Sequence, residues 1–150
     1  MTLNTTAIRN AISSHAQSLG VFEQVNNHES KNAPGNGLSC EIWAESISPV
    51  QSGLAATTAK VVFSVRILVN MTREPQDDID TDILNATDLL MNEYSGDFEL
   101  GGNVREVDLL GEFGDSLSSQ AGYVTIGGTM FRVMTITLPV IVNDAWNQVA

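Results

Sequence analysis

The residue pattern predicts an α+β domain in which a mostly antiparallel or mixed β-sheet packs against two main α-helices. Three observations predict it. Apolar residues recur at helical spacing in two segments, one at the N-terminus and one after Pro75. Runs rich in β-branched and aromatic residues lie between those segments and again after the second. A Gly127-Gly128 pair separates two of the later runs, a hairpin signal because both central positions can take positive φ. The order helix, strands, helix, strands is that of an α+β layer arrangement.

Asn4 or Thr5 is the expected N-cap of the first helix, with Ile8, Ala11, Ile12, His15 and Leu19 on one stripe. Gly20 is the expected stop. Val21 to Val25 is short enough for a minor strand, and Asn26 to Gly37 turns polar, with Pro34, Gly35 and Gly37, as a loop does. Leu38 to Ile47 alternates apolar and polar residues, the signature of a half-buried strand, and Pro49 to Ala56 should break it. Lys60 to Met71 is almost continuously apolar and predicts a central strand covered on both faces. Pro75 opens the second helix, whose stripe is Ile79, Ile83, Ala86, Leu90 and Tyr94, with Gly96 at its end. Phe98 to Leu110 predicts a strand with a bulge or tight turn at Gly101-Gly102. The Gly- and Ser-rich segment Gly111 to Ser119 is a loop. Tyr123 to Ile126 and Met130 to Leu138 form the hairpin, Pro139 should end or edge its last strand, and Val140 to Ala150 reads as a tail.

The chain has 150 residues, which fits one domain covering positions 1 to 150. A domain of this size buries ~70% of the surface its unfolded chain exposes, so it needs no metal or disulfide staple. No apolar run reaches the ~18 residues of a membrane span. Met1 to Asn10 has neither a basic start nor an apolar stretch, so no secretory signal is expected there. Cys40 is the single cysteine, which excludes an intrachain disulfide and fits a reducing compartment.

Acid is concentrated rather than spread. Thirteen of the 18 Asp and Glu residues lie between Glu74 and Asp115, where Arg105 is the only cation, and the formal net charge is −11. The same stretch carries a helix, so a folded acidic surface is expected rather than an acidic tail. Such a surface repels nucleic acid, because phosphate affinity comes from Lys and Arg that release counterions.

No arrangement of residues supports catalysis. Asp78, Asp80 and Asp82 fail as a calcium loop, since the positions that require Gly and Glu hold Ile83 and Leu89. Carboxylates in a first helical turn are favoured there by the helix dipole, by ~0.3–1 kcal/mol each. His15, His28 and Cys40 lack the paired spacing of a zinc site, and His15 is expected against buried neighbours or at a subunit contact. Neither a nucleophile elbow nor a complete dinucleotide fingerprint is present. One feature points outward: Leu84 and Met91, seven residues apart, lie off the buried stripe. They are either wedged against a loop or form a second apolar strip for a neighbouring subunit.

A series of segments resembles the tail terminator proteins of long-tailed, siphovirus-type bacteriophages across nearly the whole chain. These are Ser18 to Phe22, His28 to Gly35, Trp43 with Ile47-Ser48-Pro49, Ser52 to Ala55, and Phe63 to Ile67. They continue with the helix Asp78 to Tyr94, Gly96 to Gly102, Val107 to Gly111, Phe131 to Val133, and Pro139 to Trp146. The resemblance implies a small subunit without cofactor or catalysis, assembled as a homo-hexameric ring. Such a ring caps the tail tube protein, stops tube growth and offers a face to the head–tail connector proteins. DNA would pass through its bore without specific binding, no membrane would be involved, and the subunit would sit at the head-proximal end of the virion tail after synthesis in the host cytoplasm.

On this reading Leu84, Met91 and His15 are subunit-interface candidates. The loops, expected to be flexible, supply His28, Glu29, Lys31, Asn32 and Pro34, and Glu112, Phe113 and Asp115, as contacts to the tube or the next subunit. Asp77, Asp78, Asp80, Asp82 and Asp88 are candidates for the acids that face the bore. The alternatives are another tail or neck subunit (tube protein or adaptor), or a small acidic ligand-binding or hydrolase domain using His15, Cys40 or Asp77 to Asp82.

Overall fold

The computed structural model describes residues 2–50 and 56–147. Two helices pack on one face of a mixed six-stranded sheet, so the protein is α+β. The elements follow one another as α1 (Thr5–Leu19), β1 (Gln24–Asn26), β2 (Ser39–Val50), β3 (Ala56–Asn70), α2 (Asp78–Gly96), β4 (Glu106–Val107), β5 (Ser118–Ile126) and β6 (Thr129–Asn147). The strands run in the order β1-β2-β3-β6-β4, and β5 also pairs with β6. Among the described residues β1 and β2 pair in parallel and the other pairings are antiparallel.

Local chemistry sets the helix ends. The Asn4 side chain accepts from the Ala7 amide at 3.1 Å, satisfying one of the donors a helix start leaves over. Gly20 closes α1 with φ +69°, a left-handed value that glycine adopts without steric penalty. On α2 the expected stripe, Ile79, Ile83, Ala86, Leu90 and Tyr94, is buried in full. It meets Ile8, Ile12 and Ala16 of α1 above Val61, Phe63, Val65, Ile67 and Val69 of β3. Truncating one large member of such a core to Ala costs about 2–5 kcal/mol.

β3 is central, flanked by β2 and β6, and both its faces are covered as expected. The second cover differs from a simple apolar layer. Lys60, Val62, Ser64, Arg66, Leu68 and Asn70 alternate onto the face away from the helices. There Arg66 donates through Nε and Nη2 to Glu41 Oε1 at 3.1 and 2.8 Å, and Glu41 is completely buried. Arg66 also stacks over Trp43 at 5.0 Å, and Ser64 donates to Glu45 at 3.0 Å. A smaller apolar cluster of Leu68, Ile126, Phe131 and Val133 continues that face.

The hairpin forms where the Gly pair placed it, with Gly127 at φ +58° and Gly128 at φ +81°. Other boundaries move. The first short strand begins at Gln24, not Val21, and β2 is buried on both faces from Ser39 to Ile42 and exposed from Ala44 to Ile47. Neither proline interrupts its strand. Pro49 lies beyond the three residues of β2 that β1 covers, on an open edge where a missing N–H costs nothing. Pro139 sits between Thr137, the last residue paired to β5, and Val140, the first paired to β4. The expected tail after Pro139 is therefore strand as far as Asn147, held by β3.

The largest correction concerns Phe98 to Leu110. Leu100, Gly101 and Gly102 take φ of +47°, +67° and +87°, which coils the chain instead of extending it. Leu100 is thereby driven into the core with no exposed surface, and only Glu106–Val107 pair as a strand.

Arg66→Ala leaves the Glu41 carboxylate buried beside no cation. Urea unfolding should show a loss of about 3–5 kcal/mol, whereas breaking an exposed pair such as Asp80–Arg132 costs ~1 kcal/mol or less.

Candidate functional site

The described residues present no single cleft of convergent reactive groups, and the surface features are distributed around the sheet. Among them no group of three or more His, Cys, Asp or Glu is placed to hold a metal ion. Cys40 is buried at the start of β2, and burial followed by the neighbouring Glu41 charge pushes its thiol up to about 12. It is a protonated core side chain at neutral pH, not a nucleophile. No described helix is long and apolar enough to cross a membrane.

His15, expected on the buried stripe or at a subunit contact, is spent inside the subunit. Its Nδ1 lies 3.0 Å from Glu93 Oε2 and its Nε2 lies 2.8 Å from Asp97 Oδ2. The ring meets Tyr94 edge-on at 5.8 Å, and the buried Tyr94 hydroxyl donates to the Ile12 carbonyl at 3.1 Å. Burial raises the Tyr94 hydroxyl well above its usual range. Together these contacts bolt the C-terminal half of α1 to the last turn of α2. The Gly101 amide and then His15 hold the Asp97 carboxyl below its ordinary range.

The two loops are tied, not loose. In residues 27–38 the Ser30 amide donates to Glu41 Oε2 at 2.7 Å and the Gly37 amide to Glu23 Oε2 at 2.8 Å. Asn70 donates to Asn36 at 3.2 Å, and Glu29 lies 3.8 Å from Arg66. The loop thus folds over the polar face of the sheet, leaving Lys31 and Asn32 exposed at its tip and Pro34 partly covered. His28 turns Nδ1 towards the Glu29 carbonyl, on the wall of a groove of about 490 Å³ that Lys31, Asn32 and Pro34 also line.

The second loop is organised by Asp108, nearly fully buried, which the sequence shows only as one acid of the cluster. Its carboxylate accepts from the amides of Gly111, Glu112 and Phe113 at 2.9–3.0 Å. Lys60 then reaches across to the Phe113 carbonyl at 3.0 Å and Asp115 at 3.1 Å. Glu112 remains exposed.

The acids divide into two groups. Asp80 pairs with Arg132 at 3.1 Å and Asp82 with Arg73 at 2.9 Å, so both are engaged within the subunit. Asp77, Asp78 and Asp88 are exposed and make no ion pair among the described residues. Five of the seven cations, Lys60, Arg66, Arg73, Arg105 and Arg132, lie 2.8–3.8 Å from a carboxylate. Apart from the buried Arg66–Glu41 pair, these are partly or largely exposed pairs that add little stability. Their consequence is electrostatic: most of the positive charge is neutralised locally and the exterior is anionic.

Apolar side chains break this surface at separate places. Leu84 is 53% exposed, whereas Met91, expected beside it on an outward strip, packs partly on the core. The buried stripe faces inward through Leu90, and Met91, one residue further, falls at its border. Ile47 is half exposed on the open edge of β2, and Tyr123 and Met130 stand on the hairpin. At the opposite edge of the sheet Phe98, Leu109 and Leu110 surround a cleft of about 580 Å³, with Leu110 94% exposed. Those three lie in the segment whose pattern predicts a strand, and the chain coils there at Leu100 to Gly102 instead.

No protein-family model matches the chain, and no curated protein matches it.

Asp97 binds its proton more weakly folded than unfolded. Its stabilising contribution is therefore full above the ordinary value of 3.8 and is lost as the pH falls through the lower folded value. Asp97→Asn should be less stable than wild type at pH 6, and thermal melts should show the two converging as the pH drops below 3.8.

Proposed function

We propose that this protein is a structural subunit of a phage tail, the terminator that assembles as a ring on the end of the tail tube. The observation that carries the reading is the separation of exposed apolar residues onto different sides of one anionic subunit. Ile47 lies on the β2 edge and Phe98 and Leu110 lie at the β4 edge. A subunit with unlike sticky surfaces on opposite sides joins its copies head to tail, and such contacts close into rings when the rotation permits.

The charge distribution supports the same reading. Exposed Asp77, Asp78 and Asp88 at the start and middle of α2 offer nothing to which phosphates bind. A bore lined by such groups lets DNA slide. In this role the tube protein meets one face of the ring and the connector proteins meet the other. The segment resemblance to tail terminators, which spans nearly the whole chain, sets this reading above that of an unrelated acidic domain.

The test uses purified protein and tail tubes that lack a terminator. Mass photometry should detect a six-membered species, or electron microscopy should find the protein confined to tube ends whose growth has stopped. Filaments of the protein alone would instead make it a tube-type subunit. A strict monomer that ignores tube ends would sink the proposal.

A further inference from the structure

One edge of the sheet lacks the features that keep edges from pairing. β1 and β4, at the two ends of the strand order, have three and two residues. The stretch of β2 beyond β1 carries Glu45 at a break in register between Ala44 and Ser46, and then Pro49. Short strands, bulges, charges and proline are the devices by which sheets avoid joining edge to edge. β5 has none of them. It is nine residues long, and its register against β6 is unbroken from Ser118 opposite Thr137 to Ile126 opposite Thr129. Among the described residues no strand pairs with its other side. No charged side chain occurs from Ser116 to Phe131, in a chain of net charge −11.

The hairpin fixes which backbone groups of β5 face outward. A two-residue loop makes its flanking pair, Ile126 and Thr129, a hydrogen-bonded one, and the pattern alternates from there. Ser119, Ala121, Tyr123 and Thr125 therefore turn their N–H and C=O away from β6. Met130, opposite Thr125, obeys the same alternation, giving its carbonyl to the Met71 amide just past β3 at 3.2 Å. All four outward residues of β5 are exposed.

We propose that β5 of one copy pairs antiparallel with β5 of a second copy about a twofold axis at Gly122, so that two sheets become one. The inference goes beyond the ring reading and does not rest on it. Backbone chemistry sets the class of occupant, because a row of free amides and carbonyls takes another strand. Two observations make that strand a second β5. Gly122 is the midpoint of β5, with the outward residues spaced evenly on either side. An inverted copy therefore sets Ala121 against Tyr123 and Ser119 against Thr125, and satisfies every outward group with about eight hydrogen bonds. Gly122 meets its own counterpart at the closest approach of the pair, ~4.5 Å between Cα atoms, where no side chain intrudes. Charge makes the same selection. Two subunits this anionic repel one another over most of their surface, and β5 is a strip to which neither strand brings a charge.

Single cysteines test the contact. Mild oxidation of the G122C protein should give a disulfide-linked dimer, because position 122 meets only itself across the axis. A Cβ at Gly122 comes no nearer than 3.6 Å to Val133, so the fold accepts it. T125C, which would face Ser119 of the second copy, should stay unlinked under the same conditions, and buried Cys40 contributes no thiol. A121P removes an outward N–H that no internal ladder bond uses, so it should keep its melting temperature and lose the dimer in sedimentation. A wild-type protein that stays monomeric at raised concentration would overturn the contact. So would T125C dimers that form as readily as G122C dimers, or an A121P protein that dimerises like wild type. None of these outcomes bears on the ring, whose contacts are heterologous.

Discussion

Pairing between β3 and β6 is the constraint on which the rest of this molecule depends. It runs from Ala56 opposite Asn147 to Asn70 opposite Phe131, with one irregularity between Thr57 and Ala59. Every other strand joins that pair directly or through β2, and both helices cover its apolar face. A side-chain period of two means that a slip by one residue would exchange the faces. Arg66 would then point at the helices and Val65 at Glu41. Burial of Val61, Phe63, Val65, Ile67 and Val69 on one side, and the Glu41–Arg66 bond on the other, therefore fix the register together.

The polar face explains the behaviour of the long loop. Glu41 has no exposed surface and must satisfy both oxygens internally. Arg66 takes one, and the Ser30 amide takes the other at 2.7 Å. A loop whose composition suggests freedom is in this way made the lid of a buried ion pair. Asp108 does the same for residues 111–113 from the other edge of the sheet. Both loops are thereby tied to the sheet by buried carboxylates.

The helix clamp has a comparable logic. His15 faces Glu93 and Asp97, the Asp97 carboxylate also accepts from Gly101, and Gly101 follows buried Leu100. One chain of contacts thus runs from α1 through the end of α2 into the coil that presents Phe98. The exposed apolar cleft at the β4 edge is held by the same residues that lock the helices.

The chain by itself determined the fold class, both helices with their buried stripes, the caps of α1, the central strand and the Gly127-Gly128 hairpin. Each of these is encoded by neighbours a few residues apart: a period of 3.6, a period of two, or a residue that tolerates positive φ. Tertiary structure decided the rest. Pro139 and Pro49 are accommodated because of which strands end beside them, a fact held by partners distant in the chain. His15 finds its carboxylates 78 and 82 residues away, and Glu41 finds its cation 25 residues on. Phe98 to Leu110 alternates well enough for a strand, yet burying Leu100 required the chain to coil, and that choice exposed Leu110. Local periodicity reports which face a residue prefers; only the packed sheet fixes which preferences are met and which apolar side chains are left facing outward.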